Sequence, residues 1–372
     1  MYNTVGIITN KPRSNILSDL TMRRSINTVP FGGRYRLIDF ALSNMVNAGI
    51  QKIGVIGSNK YRALVEHLGT GQEWSLSRKN QGLMILNSGV NFQFDKTPKI
   101  NLQDFSANIS YFEQVNQENI LISESDLICK INYKDVIESH INSGADITFV
   151  CKKFEEQCLD CSDVKVKVDE HSGRIIEIGD NGNCDCNHVF LDMMIIKKGL
   201  LLKIANRSDE LGGPWDLIEV ISKNIGGLNI KPYIFEGYYY KVNSVQKYFK
   251  CSMDLLKKEV KQELFLGEDK IYTKVDDNHP TRYLNPSYTN NSLVASGCIL
   301  NGQIRNSIIF RQVETGIDSK ISDSIIMNKC KIGKNAVLEN VILDKEVEIG
   351  EGVVLRGKPE APVVIRERCK IG

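Results

Sequence analysis

Three short stretches decide the fold of the C-terminal part: Ile304-Arg-Asn-Ser-Ile-Ile309, Ile321-Ser-Asp-Ser-Ile-Ile326 and Val337-Leu-Glu-Asn-Val-Ile342. Their small polar anchors, Ser307, Ser324 and Asn340, are 17 and 16 residues apart. A second phase repeats beside them as Ile332-Gly333, Ile349-Gly350 and Ile371-Gly372. Aliphatic residues at a six-residue spacing, with turns of Gly, Asn, Asp and Ser, describe a parallel β-helix of hexapeptide repeats. One such coil cannot bury its aliphatic side alone, so several must stack. An ordinary β-sandwich is the competing reading, but it gives no reason for the recurring anchors.

Before this region lies a polar stretch with Pro280 and Pro286, which reads as a linker. Residues 245–263 have the spacing of one amphipathic helix, with Tyr248, Cys251, Leu255 and Leu256 on its stripe. Further back, strand and helix patterns alternate. Strands are expected over 5–9, 52–57, 119–123 and 145–150. Helices are expected over 35–47, ending at Gly49, and 133–143, ending at Gly144. This order implies an α/β unit with a largely parallel sheet covered by helices. Ligands of such sheets sit beyond the carboxyl ends of the strands, so the loops after Thr9 and Ser123 are the places to look. The expected divisions are 1–245, 246–289 (helix and linker) and 290–372 (β-helix).

The chain has 372 residues, 42% hydrophobic and 25% charged, with a formal net charge of +2. That balance gives no field that argues for nucleic acid or a membrane surface. Met1-Tyr2-Asn3-Thr4 has no leader pattern, and no apolar run reaches membrane-spanning length, so a cytoplasmic location is expected. Ten cysteines do not read as a disulfide scaffold in that compartment. Cys158 and Cys161 form a CxxC, and Cys184 and Cys186 a CxC. Together they are either a tetrahedral zinc set or four unrelated cysteines.

The run Val29-Pro-Phe-Gly-Gly-Arg-Tyr-Arg-Leu-Ile-Asp-Phe-Ala-Leu-Ser-Asn44 resembles the signature of ADP-glucose pyrophosphorylases (glucose-1-phosphate adenylyltransferases). Asn47-Ala-Gly-Ile-Gln-Lys-Ile-Gly-Val55, His67-Leu-Gly69, Trp74 and Arg78-Lys-Asn80 continue the likeness, which extends over nearly the whole chain. The resemblance implies a Rossmann-like nucleotidyltransferase domain followed by a left-handed parallel β-helix. It also implies tetramers and the first committed step of glycogen synthesis.

Adenylyl transfer crowds negative charge, so it depends on positioning and charge neutralisation. The family supplies a glycine-rich loop with an arginine, a later lysine and two aspartates for Mg²⁺. With Asp19-Leu20-Thr21 fixing the alignment, the glycine positions fall on Lys11, Pro12 and Ser14, and the arginine position on Ile16. Proline has no N–H to offer a phosphate, and side chains at these places keep the backbone away. The family lysine falls on Ile26. Lys11, Arg13, Arg23 and Arg24 are nearby cations, read as solvated loop charges rather than as a second phosphate grip. The first metal aspartate survives as Asp126, within Ser125-Asp126-Leu127. Lys241 occupies the place of the second, where an ammonium cannot ligate magnesium and could instead neutralise Asp126. The hexose-phosphate motif falls on Gly179-Asp-Asn-Gly182, and the adenine-side motif near Ile100-Asn-Leu102; neither matches.

This pattern of an altered pocket beside an intact scaffold resembles GlgD-type subunits, paralogues that work in complex with a catalytic subunit. It implies a regulatory, catalytically degenerate subunit with no cofactor of its own, Mg²⁺ residing in the catalytic partner. The expected assembly is a hetero-tetramer, or a homo-oligomer when the chain is alone. Two alternatives stand beside it: a weak adenylyltransferase that keeps Asp126 as a metal ligand, and a sugar-phosphate sensor. The family's activator sites lie near the Pro-Phe-Gly-Gly segment, which makes Arg34 and Arg36 effector candidates. A hexapeptide acyltransferase is disfavoured, since no histidine follows His279.

Overall fold

The computed structural model describes residues 3–10, 17–57, 60–79, 81–89, 98–153, 163–179, 186–210 and 216–372. Its N-terminal part is built on a nine-stranded sheet. Strands β1 (Thr4–Thr9), β2 (Lys52–Ile56) and β3 (Gly82–Leu86) run parallel to each other and to β4 (Asn119–Glu124). A short strand, β5 (Leu127–Cys129), leaves this sheet after β4. The remaining members are β6 (Ile147–Lys153), β7 (Lys165–Val168), β8 (Ile175–Gly179), β9 (His188–Lys197) and β10 (Ile230–Ile234). The ten-residue β9 runs antiparallel to β4, β6 and β7, so the sheet is parallel on one side and mixed on the other. Its strands are apolar on both faces because helices cover both. Ile7, Ile120, Ile122 and Met194 face one core, and Ile8, Leu121, Met193 and Ile195 face the other.

Helix α1 (Ile38–Asn47) begins after a short hairpin, Pro30–Phe31 with Tyr35–Arg36, where a continuous helix over 35–47 is expected from spacing. Gly32 and Gly33 have φ of +57° and +84°, which closes that hairpin at no side-chain cost. Helix α2 (Tyr133–Ser143) starts on an Asn132 cap and stops at Gly144 in the left-handed region, as its sequence requires.

A three-residue pairing matters more than its size. Strand β11 (Tyr239–Lys241) runs antiparallel to β5 and places Lys241 opposite Leu127, next to Asp126. The expected single helix over 245–263 is two, α3 (Val245–Asp254) and α4 (Lys258–Phe265). Turn hydrogen bonds from Leu255 to Ser252 and from Lys257 to Asp254 end the first, and Lys257 is extended.

The segment read as a linker is structured. Arg282–Asn290 is a nine-residue strand paired in parallel with Ile299–Arg305. From there the chain winds as a left-handed parallel β-helix. Ile308 pairs with Ile325 and Ile325 with Ile342; Ile304 pairs with Ile321 and Ile321 with Leu338. Every coil-to-coil offset here is 17, so the third coil is Leu338 to Leu343, one residue later than its anchor suggests. Ser307 Oγ accepts the Ser324 N–H, and Ser324 Oγ accepts the Val341 N–H, not that of Asn340. Asn340 instead shares the left-handed corner of Asn306 and Asp323. Gly316, Gly333 and Gly350 form a column in which the backbone of the next coil approaches closely. A Cβ on Gly316 would lie 2.6 Å from Lys334 N, and one on Gly333 2.6 Å from Gly350 C.

One face of the β-helix closes the molecule. Ile308, Phe310, Ile325, Met327 and Ile342 pack with Leu17, Ile26, Phe31, Phe40 and Tyr248 in a shared core. Tyr248 donates from its buried hydroxyl to Pro30 O at 2.7 Å. Among the described residues, no helix is long and apolar enough to cross a membrane.

Candidate functional site

The carboxyl ends of β1 and β4 lie side by side, with Ser125 N–H donating to Thr9 O at 3.2 Å. Asp126 follows and is 1% exposed. Lys11, Pro12, Ser14 and Ile16 lie outside the described residues, as does Arg13. Ile26 lies in a turn of 3-10 helix, is 3% exposed, and packs in the core shared with the β-helix. The position aligned with the family's lysine thus carries a buried apolar side chain.

Lys241 stands beside Asp126 on the paired strand, and it has two partners that the motifs do not name. The ammonium is ion-paired with Asp192, and Asp163 Oδ1 lies 3.5 Å away. Asp126, the expected partner, lies beside the same strand. The backbone still joins the two, since Val242 N–H donates to Asp126 O at 2.9 Å. Lys247 also feels Asp126: burial and Lys250 lower its pKa, and Asp126 opposes that shift. Burial, then the facing Asp192, Asp163 and Asp126, hold the Tyr239 phenol well above its ordinary pKa. Three carboxylates from three segments therefore converge on one short strand.

Asp163 and Asp192 carry no motif, and sequence reasoning missed both. A signal was present for Asp192: it interrupts the apolar run Val189-Phe-Leu-Asp-Met-Met-Ile-Ile196 in a strand that is otherwise buried.

Magnesium does not fit this donor set. It needs oxygen ligands at about 2.0–2.1 Å in octahedral order, and an ammonium already bound to two carboxylates occupies the second ligand's place. Among the described residues, no group of three or more His, Cys, Asp or Glu side chains could hold a metal ion. Of the four paired cysteines, Cys158, Cys161 and Cys184 lie outside the described residues. Cys186 is disulfide-bonded, which removes its thiolate from a zinc set. Asn101, at the expected adenine-side motif, is a helix cap whose Oδ1 accepts the Gln103 N–H at 3.2 Å.

A second charged group lies where the β-helix meets the N-terminal part. Arg24 is 4% exposed, donates from Nε to Leu20 O at 2.9 Å and is ion-paired with Asp344 of the β-helix. It is a tie across the junction rather than the solvated charge expected; Arg23 is exposed. Arg36 lies beside it, with Nη1 donating to Ala63 O at 3.0 Å. Burial and Arg24 push the Arg36 pKa down to about 10, against the opposing pull of Asp39 and Glu66. Burial, Arg36 and Arg24 push Lys345 down to about 8. The Asp39 carboxylate accepts the Arg36 backbone N–H and meets His67 Nε2 at 2.5 Å. Arg34 is not part of this group. It is exposed, lies over the Tyr35 ring at 4.8 Å and donates to the Tyr35 hydroxyl. The two effector candidates thus separate: Arg36 lies with Arg24 and Lys345, and Arg34 lies on the Tyr35 ring.

Comparison with known proteins agrees with this architecture. A nucleotidyl transferase family model matches residues 14–158, and a GlmU-like C-terminal hexapeptide model matches 279–361. The chain is 35% identical over 324 residues to a Bacillus subtilis (strain 168) protein named "Glycogen biosynthesis protein GlgD", covering 86% of this chain and 84% of that one. A protein of the same name from Geobacillus stearothermophilus is 34% identical, with 84% and 81% covered. "Glucose-1-phosphate adenylyltransferase" of Thermotoga neapolitana is 30% identical, with 85% and 75% covered.

Proposed function

Because the chain belongs to the glucose-1-phosphate adenylyltransferase family, we propose that it serves glycogen synthesis as an auxiliary, non-catalytic subunit modulating a catalytic paralogue. Ile26 carries this reading. The lysine position beside the cleft is built into the core that joins the two parts of the molecule. It cannot be recovered for phosphate binding without unpacking the junction. The signature stretch around α1 supports the same reading, because it is kept as scaffold: Phe31, Leu37, Ile38, Phe40, Ala41 and Leu42 are all buried. On this reading the partner supplies the adenylyl-transfer chemistry and its magnesium, and the two chains form a hetero-oligomer in the cytoplasm. Modulation requires contacts that differ between the partner's two states.

The test is pyrophosphate release from ATP and glucose 1-phosphate. The isolated chain is expected to give none above background. Added to the catalytic paralogue, it is expected to raise turnover or activator sensitivity and to co-migrate on sizing. Unchanged kinetics without co-migration would sink the proposal.

The junction favours a companion role in sensing sugar phosphates. Arg24, Arg36 and Lys345 bring three cations close together, the kind of donor that phosphate oxygens accept from. Calorimetry with a hexose bisphosphate should show binding that Arg36→Ala abolishes. Binding equal in wild type and Arg36→Ala would remove this role.

A further inference from the structure

We propose that Lys241 is a tethered cation that takes the structural place of a divalent ion, cross-linking carboxylates of separate segments so that the cleft is shaped without metal. The inference does not depend on whether the chain regulates a partner.

The backbone of Asp192 is the first observation. It has φ +56° in the middle of β9, where an extended conformation is the rule. The register against β6 shifts between Phe190 and Met194, so Asp192 sits in a bulge that re-aims its side chain. A non-glycine residue in the left-handed region persists only where its surroundings over-determine it. Here the carboxylate is buried to 2% exposure and bound by Lys241.

The second observation is convergence. Asp163 precedes β7, Asp192 lies in β9 and Asp126 follows β4; β11 passes all three. Lys241 is 11% exposed, so its charge is not spent on solvent. Its three N–H donors can serve two carboxylates at once, as a metal would, while its backbone is fixed to β5. A bound divalent ion supplies its cross-links only at sufficient concentration, whereas a covalently held ammonium is always present.

Removing the lysine should therefore leave a carboxylate-lined space that a small divalent cation fills. The experiment uses the full chain, wild type and Lys241→Ala, melted in EDTA and in millimolar MnCl2, with bound Mn²⁺ counted by electron paramagnetic resonance. Wild type should melt within about 1 °C in both conditions and bind no Mn²⁺ in the cleft. Lys241→Ala should melt at least about 5 °C lower in EDTA and regain about 3 °C or more with Mn²⁺, binding one ion. A Lys241→Ala protein indifferent to Mn²⁺ would overturn the proposal. If that variant does not fold, wild type decides alone. Tight Mn²⁺ binding that disappears in Asp126→Asn overturns the proposal, and no such binding supports it.

Discussion

Two charged clusters, one in the cleft and one at the junction, are assembled from similar residues and end differently. In the cleft, Lys241 is met by Asp192 and Asp163, so positive and negative charge close on each other. At the junction, Arg24 is matched by Asp344, while burial and then neighbouring cations, Arg24 for Arg36 and Arg36 with Arg24 for Lys345, lower proton affinity. A closed cluster holds a shape. A cluster in which cations lower one another's proton affinity is one that a bound anion would relieve. The contrast sets a closed ion-pair cluster in the cleft against a cluster of neighbouring cations at the junction.

The largest effect should come from cutting the buried ion pair that spans the junction, Arg24 with Asp344. Arg24→Met leaves Asp344 buried without its cation, and urea denaturation should show a loss of about 3–5 kcal/mol. A loss under about 1 kcal/mol would mean that the junction is held by its apolar core alone. Ile26→Ala should cost about 2–4 kcal/mol by the same measurement, because the side chain is lost from a packed site. A neutral result would return Ile26 to the cleft as a mere vestige.

The junction should also respond to pH in a definite direction. Lys345 titrates near 8 in the folded chain, below its ordinary 10.5, so its charged form carries a folding penalty below pH 8. Since the unfolded chain binds the proton more tightly, this penalty is relieved as pH rises from about 8 to 10.5. Anion binding should move the other way, with hexose bisphosphate affinity falling several-fold between pH 7 and 9.5. Lys345→Met should abolish that pH dependence, and a profile unchanged by the variant would place the ligand elsewhere. The smallest effect belongs to Arg34→Ala. It is expected to change stability by less than about 0.5 kcal/mol and leave calorimetric binding as in wild type.

The β-helix and the parallel side of the sheet were legible because their periodicities are local. Six-residue spacing and short buried runs can be read without knowing what they pack against. The slip at Asn340 shows the limit of that reading, since a small polar anchor can serve either a corner or a ladder position. Only stacking distinguishes the two. The helix over 245–263 failed for a related reason. Its apolar stripe continues through Leu255 and Leu256, while the break at Lys257 is a backbone event that the stripe does not record. At the cleft, Asp126 and Lys241 were found through motifs. Asp163 and Asp192 were not, because they reach Lys241 through pairings of strands far apart in sequence. Arg24 was misjudged because its partner, Asp344, is 320 residues away.

The glycine column of the β-helix sets how this domain can change length. Gly316, Gly333 and Gly350 interlock with the next coil's backbone, so a single-residue insertion would push side chains into that column and turn aliphatics outward. Whole coils of 17 residues carry no such conflict, because each contacts only its neighbours. The last turn shows the other permitted form of growth. Between Ile342 and its partner Val364 the extra residues form a small hairpin, bridged at Lys358 and Ala361, while the ladder continues. This domain is therefore quantised in length: it can gain a full coil or an outward corner loop, and nothing between.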